Sequence, residues 1–97
     1  MNETAVILDR QTEFLKFLRD RFPLYHLSNI FFRDLHYGVM AFLSLHGKKK
    51  NYRTAEKITI EIVNAFENSG TFKRINHQTW VLNYPEFSPP RAEKKSA

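Results

Sequence analysis

Ile58-Thr59-Ile60-Glu61-Ile62-Val63-Asn64-Ala65-Phe66-Glu67-Asn68-Ser69-Gly70-Thr71-Phe72-Lys73-Arg74-Ile75 is the stretch on which the fold turns. Its first half reads two ways. Ile58, Ile60 and Ile62 alternate with Thr59 and Glu61, so residues 57–63 carry the two-residue period of a strand. Ala55, Ile58, Ile62, Ala65 and Phe66 instead fit the three- and four-residue spacing of an amphipathic helix. The helical set covers more of the chain and closes on Asn68-Ser69-Gly70. Glycine there can take the left-handed conformation that stops a helix. Thr54 can cap the start, and Glu56 suits the first turn. The expectation is a helix over 54–68.

Beyond Gly70, residues 71–75 and 79–84 read as a hairpin around Asn76-His77-Gln78. A three-residue loop sets Phe72 opposite Leu82 and Arg74 opposite Trp80. Phe72, Trp80, Leu82 and Tyr84 then share the core face, while Lys73, Ile75 and Val81 point outward. A two-residue Asn76-His77 turn gives a different register, and the sequence leaves both open. Pro85 ends the second strand.

Upstream, residues 4–21 read as an amphipathic helix with Ile7, Phe14, Leu15, Leu18 and Phe22 on one side, ended by Phe22-Pro23. Residues 28–46 read as a second, more apolar helix, with Ser28 as its cap and Leu27 stapled against Phe32. Its stripe of Ile30, Phe31, Leu35, Val39, Phe42 and Leu43 is wide enough for a central position. Gly38 costs that helix about 1 kcal/mol, which points to close approach of another helix there. His46-Gly47 is a good stop. The expected fold is therefore α+β: three helices followed by a C-terminal β-hairpin. The expected core is Ile7, Phe14, Leu18, Phe31, Leu35, Val39, Phe42, Ile58, Ile62, Phe66, Phe72, Trp80 and Leu82. Residues 1–87 form one domain in this reading, and residues 88–97 a disordered basic tail.

Ninety-seven residues hold one core. There is no cysteine, which excludes disulfides, thiolate metal sites and cysteine nucleophiles. The first residues lack the basic and apolar pattern of a signal peptide. No run approaches the roughly 20 apolar residues of a membrane span. A cytoplasmic protein is expected. His26, His36, His46 and His77 are never closer than ten residues, which does not fit a helical metal motif. Asp9 and Glu13 share a turn with Arg10 and Lys16 and read as ordinary ion-pairing partners. Gly38, Gly47 and Gly70 build no phosphate-cradling loop. Neither catalysis nor a metal or cofactor is expected.

The charge distribution is the feature that carries function. Net charge is +5. Residues 1–47 hold five basic and five acidic side chains, whereas residues 48–97 hold ten and five. Such asymmetry suits an anionic partner for the second half. Lys48, Lys49, Lys50, Arg53 and Lys57 fall within ten residues, with Tyr52 among them and only Glu56 opposed. Lys73, Arg74 and His77 lie near the hairpin tip. Both sets can neutralise phosphates if the third helix and hairpin pack together. The other reading of the lysine run is a loop kept solvated by charge.

The segment from Ile62 to Ile75, followed by Thr79-Trp80-Val81-Leu82-Asn83-Tyr84, resembles the end of a winged helix-turn-helix domain: patterned helix, glycine, two-stranded wing. The resemblance covers about a quarter of the chain. It implies DNA binding by the helix before the wing, with Thr59, Glu61 and Asn64 on or near the groove-facing side. It also implies a wing carrying Lys73, Arg74 and His77. Gly47 to Gly70 leaves room for only a very short helix and turn before that helix, around residues 52–57, where the family has a complete one.

The expectation is a small nucleic-acid-binding protein, a DNA-binding regulator in its sharpest form. Its site is Lys48, Lys49, Lys50, Tyr52, Arg53, Lys57, Lys73, Arg74 and His77. The alternative is an interaction module without nucleic acid or catalysis. There, some of the nine phenylalanines sit on a homodimer face of the first two helices.

Overall fold

Helical periodicity prevails over strand alternation in the deciding stretch. In the computed structural model, which describes residues 3–88, α1 is Glu3–Asp9, α2 Gln11–Arg21, β1 Asn29–Phe31, α3 Phe32–Leu45, α4 Tyr52–Ser69, β2 Phe72–Asn76 and β3 Thr79–Leu82. A single 3-10 turn, Pro85–Phe87, follows. The class is α+β, with four α-helices and one three-stranded antiparallel sheet among the described residues.

α4 buries Ala55, Ile58, Thr59, Ile62, Val63 and Phe66 along one side. It starts two residues earlier than expected. Asn51, not Thr54, is the cap: its Oδ1 accepts the Thr54 N–H at 2.8 Å. Gly70 ends the helix at φ +84°, the left-handed stop its position implied.

The expected first helix is two. The break is Arg10, at φ −119° and ψ 36°. α1 packs on α4 and α2 on α3, so one residue out of helical conformation lets two short helices serve two neighbours. The expected second helix also divides. Its first residues are β1, where the period is two: Ile30 is buried and Phe31 is 48% exposed. Phe31 therefore leaves the expected core, while the other twelve members are buried. Ser28 does not cap a helix. Its hydroxyl donates to Tyr25 O at 2.7 Å and accepts Tyr25 N–H at 2.9 Å, closing a turn. Leu27 makes no staple; it is exposed and has φ +72°.

β1 makes the hairpin a sheet. Strand order is β1-β3-β2, with Ile30 opposite Trp80, Phe72 opposite Leu82 and Arg74 opposite Trp80. The hairpin register is that of the three-residue loop. A bulge between Arg74 and Asn76 nevertheless lets Asn76 pair with Thr79, so only His77 and Gln78 turn. β3 ends at Leu82, before Pro85, because Tyr84 N–H turns away to His26 Nδ1 at 3.0 Å.

The core lies between the helices and one sheet face. Phe14 and Phe42 meet edge-on at 5.2 Å, and Phe66 meets Phe72 at 4.8 Å. Gly38 faces Leu18 of α2 so closely that a Cβ would overlap the Leu18 Cδ2 methyl. Phe87, in the 3-10 turn, is buried beneath the Arg19 guanidinium at 4.3 Å. Of the tail expected over 88–97, Ser88 is exposed, and 89–97 lie outside the described residues. Among the described residues no helix is long and apolar enough to cross a membrane.

Candidate nucleic-acid interface

Helix geometry decides which side chains of α4 can reach a partner. Arg53, Lys57, Ile60 and Asn64 follow one another at spacings of four, three and four residues, which is one face of a 3.6-residue helix. All four are exposed, opposite the buried side. The carboxylates of α4 lie to either side of this stripe. Glu61 accepts a hydrogen bond from the Thr4 hydroxyl of α1. Glu67 faces the hairpin, where one oxygen accepts Trp80 Nε1–H at 2.5 Å and pairs with Arg74 Nε at 2.9 Å. Glu56 is exposed.

Thr59 departs from what the resemblance implied. It is fully buried, and its hydroxyl donates to Ala55 O at 2.8 Å, so it belongs to the core side of α4. Asn64 is on the outer face as implied, and Glu61 is at its flank.

The hairpin reaches this stripe from one side. Ile60, Asn64, Arg74, His77 and Phe32 line a small cleft between α4, the hairpin and the start of α3. The third helix and hairpin do pack together, with Arg74 and His77 beside the middle of α4. Arg74 is engaged within the fold, being held by Glu67 and stacked over the Trp80 ring at 5.0 Å. Lys73 and His77 are exposed. Arg33, in the first turn of α3, joins Gln78 and Thr79 around a neighbouring depression. It belongs to the electrically neutral half of the chain, and the pairing of β1 with β3 brings it to the hairpin.

The lysine run sits at the other end of α4. Lys48 and Lys49 are exposed in the loop between α3 and α4, and Lys50 pairs with Glu3 of α1 at 3.1 Å. That contact, with Lys48 nearby, holds the Glu3 carboxyl below its usual pKa. Lys48 also borders a depression with Val6, Asp9, Arg10 and His46, so it leans toward α1. Tyr52 is exposed at its rim, but its ring packs on His36 at 4.1 Å and its carbonyl lies 2.9 Å from His36 Nε2. The expected site is thus an elongated strip rather than one cluster. Lys48 to Tyr52 lie at the start of α4, Arg53 and Lys57 on its outer face, and Lys73, Arg74 and His77 on the hairpin.

The start of α4 has a further property. Its first turn contains Arg53 and no acidic residue, and Lys48, Lys49 and Lys50 precede it. A helix N-terminus is itself the positive end of the dipole and ordinarily attracts acids. Glu56, expected in that turn, falls beyond it because the helix begins at Tyr52. Positive potential therefore accumulates there at some cost to the isolated helix.

The histidines serve four separate places. His26 accepts from the Tyr84 backbone, His36 meets the Tyr52 carbonyl, His46 lies 3.4 Å from Glu13, and His77 is at the hairpin tip. No three histidine, aspartate or glutamate side chains gather as metal ligands among the described residues. Of the phenylalanines in the first two expected helices, residues 4–21 and 28–46, Phe14 and Phe42 are buried, Phe17 and Phe32 half-buried and Phe31 exposed; Phe22, just past α2, is half-buried. Exposed large apolar side chains near them are Leu45, which borders a depression with Phe17 and Phe42, and Phe31, which borders a groove with Phe22; Tyr25 and Leu27 are exposed in the segment that leads into β1. Comparison with protein-family models, with curated proteins and with solved structures finds no match to this chain.

Proposed function

We propose that this chain is a winged-helix-like module that binds duplex nucleic acid, with the outer face of α4 toward a groove and the hairpin against the backbone. The observation that carries the reading is the combination of chain order and charge. Two short helices, a short strand, two further helices and a hairpin follow in sequence, with β1 closing the sheet in the order β1-β3-β2. This order supports the reading over more of the chain than residues 62–84, which carry the resemblance. In this reading α3 takes the place of the complete helix that the family has before the groove-facing one. Along α4 the exposed stripe is cationic at Arg53 and Lys57, with the exposed carboxylates of Glu56 and Glu61 flanking it. Phosphates supply the opposing charge that the first turn of α4 lacks. In this reading binding is the activity.

The test is fluorescence anisotropy with a labelled random duplex at two salt concentrations. Wild type is expected to bind with strong salt dependence. Arg53→Ala with Lys57→Ala removes two phosphate contacts, which lowers the log–log salt slope by about 2. Lys48→Ala with Lys49→Ala gives a second loss at the near end of the strip. Undetectable duplex binding at low salt, or a slope unchanged in both variants, rejects the reading.

A second reading rests on a different surface. Tyr25, Leu27 and Phe31 are exposed in and just before β1, which is an edge strand of the sheet among the described residues. An apolar groove lined by Leu18, Phe22, Leu24, Ile30 and Leu35 adjoins Phe31. In that reading the chain associates with protein, or with its own copy, through this segment, which includes the start of the expected second helix. Sedimentation at high micromolar concentration tests the self-association, which Phe31→Ser would abolish.

A further inference from the structure

The stripe on α4 contains one side chain that electrostatic binding does not explain. Ile60 is 48% exposed in the middle of the helix, between Lys57 and Asn64. Ile58 and Ile62 are buried, so the isoleucine repeat that mimicked a strand has two members in the core and one facing out. An exposed β-branched residue gives a helix less than alanine would. Phosphate binding needs only the cations beside it. Asn64, one turn on, presents an exposed amide with both donor and acceptor. Both line the cleft beside His77 and Arg74.

Resting on the nucleic-acid reading above, we infer that Ile60 and Asn64 read A·T base pairs of B-form DNA, Ile60 through the thymine methyl group and Asn64 through adenine N6 and N7. The chemistry follows from what the major groove displays. Thymine is the base that offers an apolar group there, and a carboxamide matches the donor–acceptor pair of adenine in two hydrogen bonds. The flanking cations, Arg53 and Lys57 on the same face and Lys73 on the wing, meet phosphates and set the register. Four residues of helix rise about 6 Å, and base steps along a strand are about 3.4 Å apart. The two contacts therefore fall one to two base pairs apart. The same chemistry selects DNA over duplex RNA. Uracil lacks the methyl group, and the A-form major groove is too narrow for the helix.

The experiment begins with selection from a random 20-bp DNA pool by the full chain. Anisotropy titrations of an enriched duplex follow, made with thymine and again with deoxyuracil, which removes only the methyl. Wild type is expected to enrich A·T pairs at neighbouring positions and to bind the deoxyuracil duplex about three- to tenfold more weakly. Ile60→Ala should bring that ratio to about one with the salt slope kept. Asn64→Ala should lose at least about fivefold of the preference for adenine at its position. Both side chains are exposed, so unchanged thermal melting will show that the variants fold. Salt-sensitive binding without A·T enrichment, or equal affinity for both duplexes, overturns this inference and leaves the binding reading standing. Absence of duplex binding overturns both. Loss of a protein contact on Ile60→Ala, with DNA binding intact and indifferent to the methyl, would assign the stripe to a protein partner instead.

Discussion

Glycine in the middle of a helix costs about 1 kcal/mol relative to alanine, so its replacement usually stabilises. The opposite is expected at Gly38. An alanine Cβ there would overlap Leu18 Cδ2 across the α2–α3 contact. Leu18 is only 2% exposed, so its methyl must be displaced into the narrow apolar groove it borders or into the packed interior. Overpacking of this kind costs about 1–3 kcal/mol. Subtracting the gain of about 1 kcal/mol in helix propensity leaves a net loss centred near 1 kcal/mol. In a domain of this size that lowers Tm by about 4–8 °C. Urea denaturation followed by Trp80 fluorescence, alongside thermal melting, measures it. A double-mutant cycle sharpens the test. Leu18→Ala alone should cost about 2–5 kcal/mol, but less in the Gly38→Ala background, where the cavity accommodates the added methyl. A coupling on the order of 1 kcal/mol is expected. A Gly38→Ala variant about 1 kcal/mol more stable than wild type, or strictly additive effects, refutes the packing described.

Three further outcomes are expected. Asn51→Ala removes the acceptor for Thr54 N–H and should cost about 1 kcal/mol, measurable by urea denaturation, while Thr54→Ala should cost less. Glu67→Ala leaves the buried Trp80 N–H without its acceptor and should cost about 1–3 kcal/mol, whereas Glu67→Gln should lose less and Arg74→Ala under about 1 kcal/mol; equal losses for all three would contradict the division of roles. The Glu3–Lys50 pair lowers the folded-state pKa of Glu3, so its small contribution is present above the ordinary glutamate value near 4.5 and is lost as pH falls through the lowered one. NMR titration of the Glu3 carboxyl should show its pKa rising toward that ordinary value in Lys50→Met.

Much of this was legible in the sequence where one signal ran for several turns. The side of α4 defined by Ala55, Ile58, Ile62 and Phe66 outlasted three alternating isoleucines, and Gly70 marked its end because few other residues take φ +84° without strain. Gly38 signalled a close neighbour, since nothing else explains glycine in an apolar helix. What failed was local. β1 is three residues long, too short to show a period, and it inherits its strand character from pairing with β3. Its cost was to put Phe31 in the core and to hide that the hairpin belongs to a sheet. The Arg10 break has no proline or glycine to announce it, and comes from two helices packing on different neighbours. At the candidate site the basic residues were visible as letters, but their partners were not. Arg74 lies against Glu67 and Lys50 against Glu3 through contacts that only the tertiary fold creates. Arg33 and Ile60 also went unmarked. Arg33 needed β1 to reach the hairpin, and Ile60, outside the helical set of Ala55, Ile58, Ile62, Ala65 and Phe66, bears no charge to mark it beside the cations.

The most direct measurement is amide chemical-shift mapping of the labelled protein during titration with a 12-bp DNA duplex at low salt. The largest, salt-reversible shifts are expected at Arg53, Lys57, Ile60 and Asn64 on α4 and at Lys73 and His77 on the hairpin, with α2 unmoved. Shifts centred instead on residues 25–31, or no shifts at all, would contradict the placement of an anionic partner on α4.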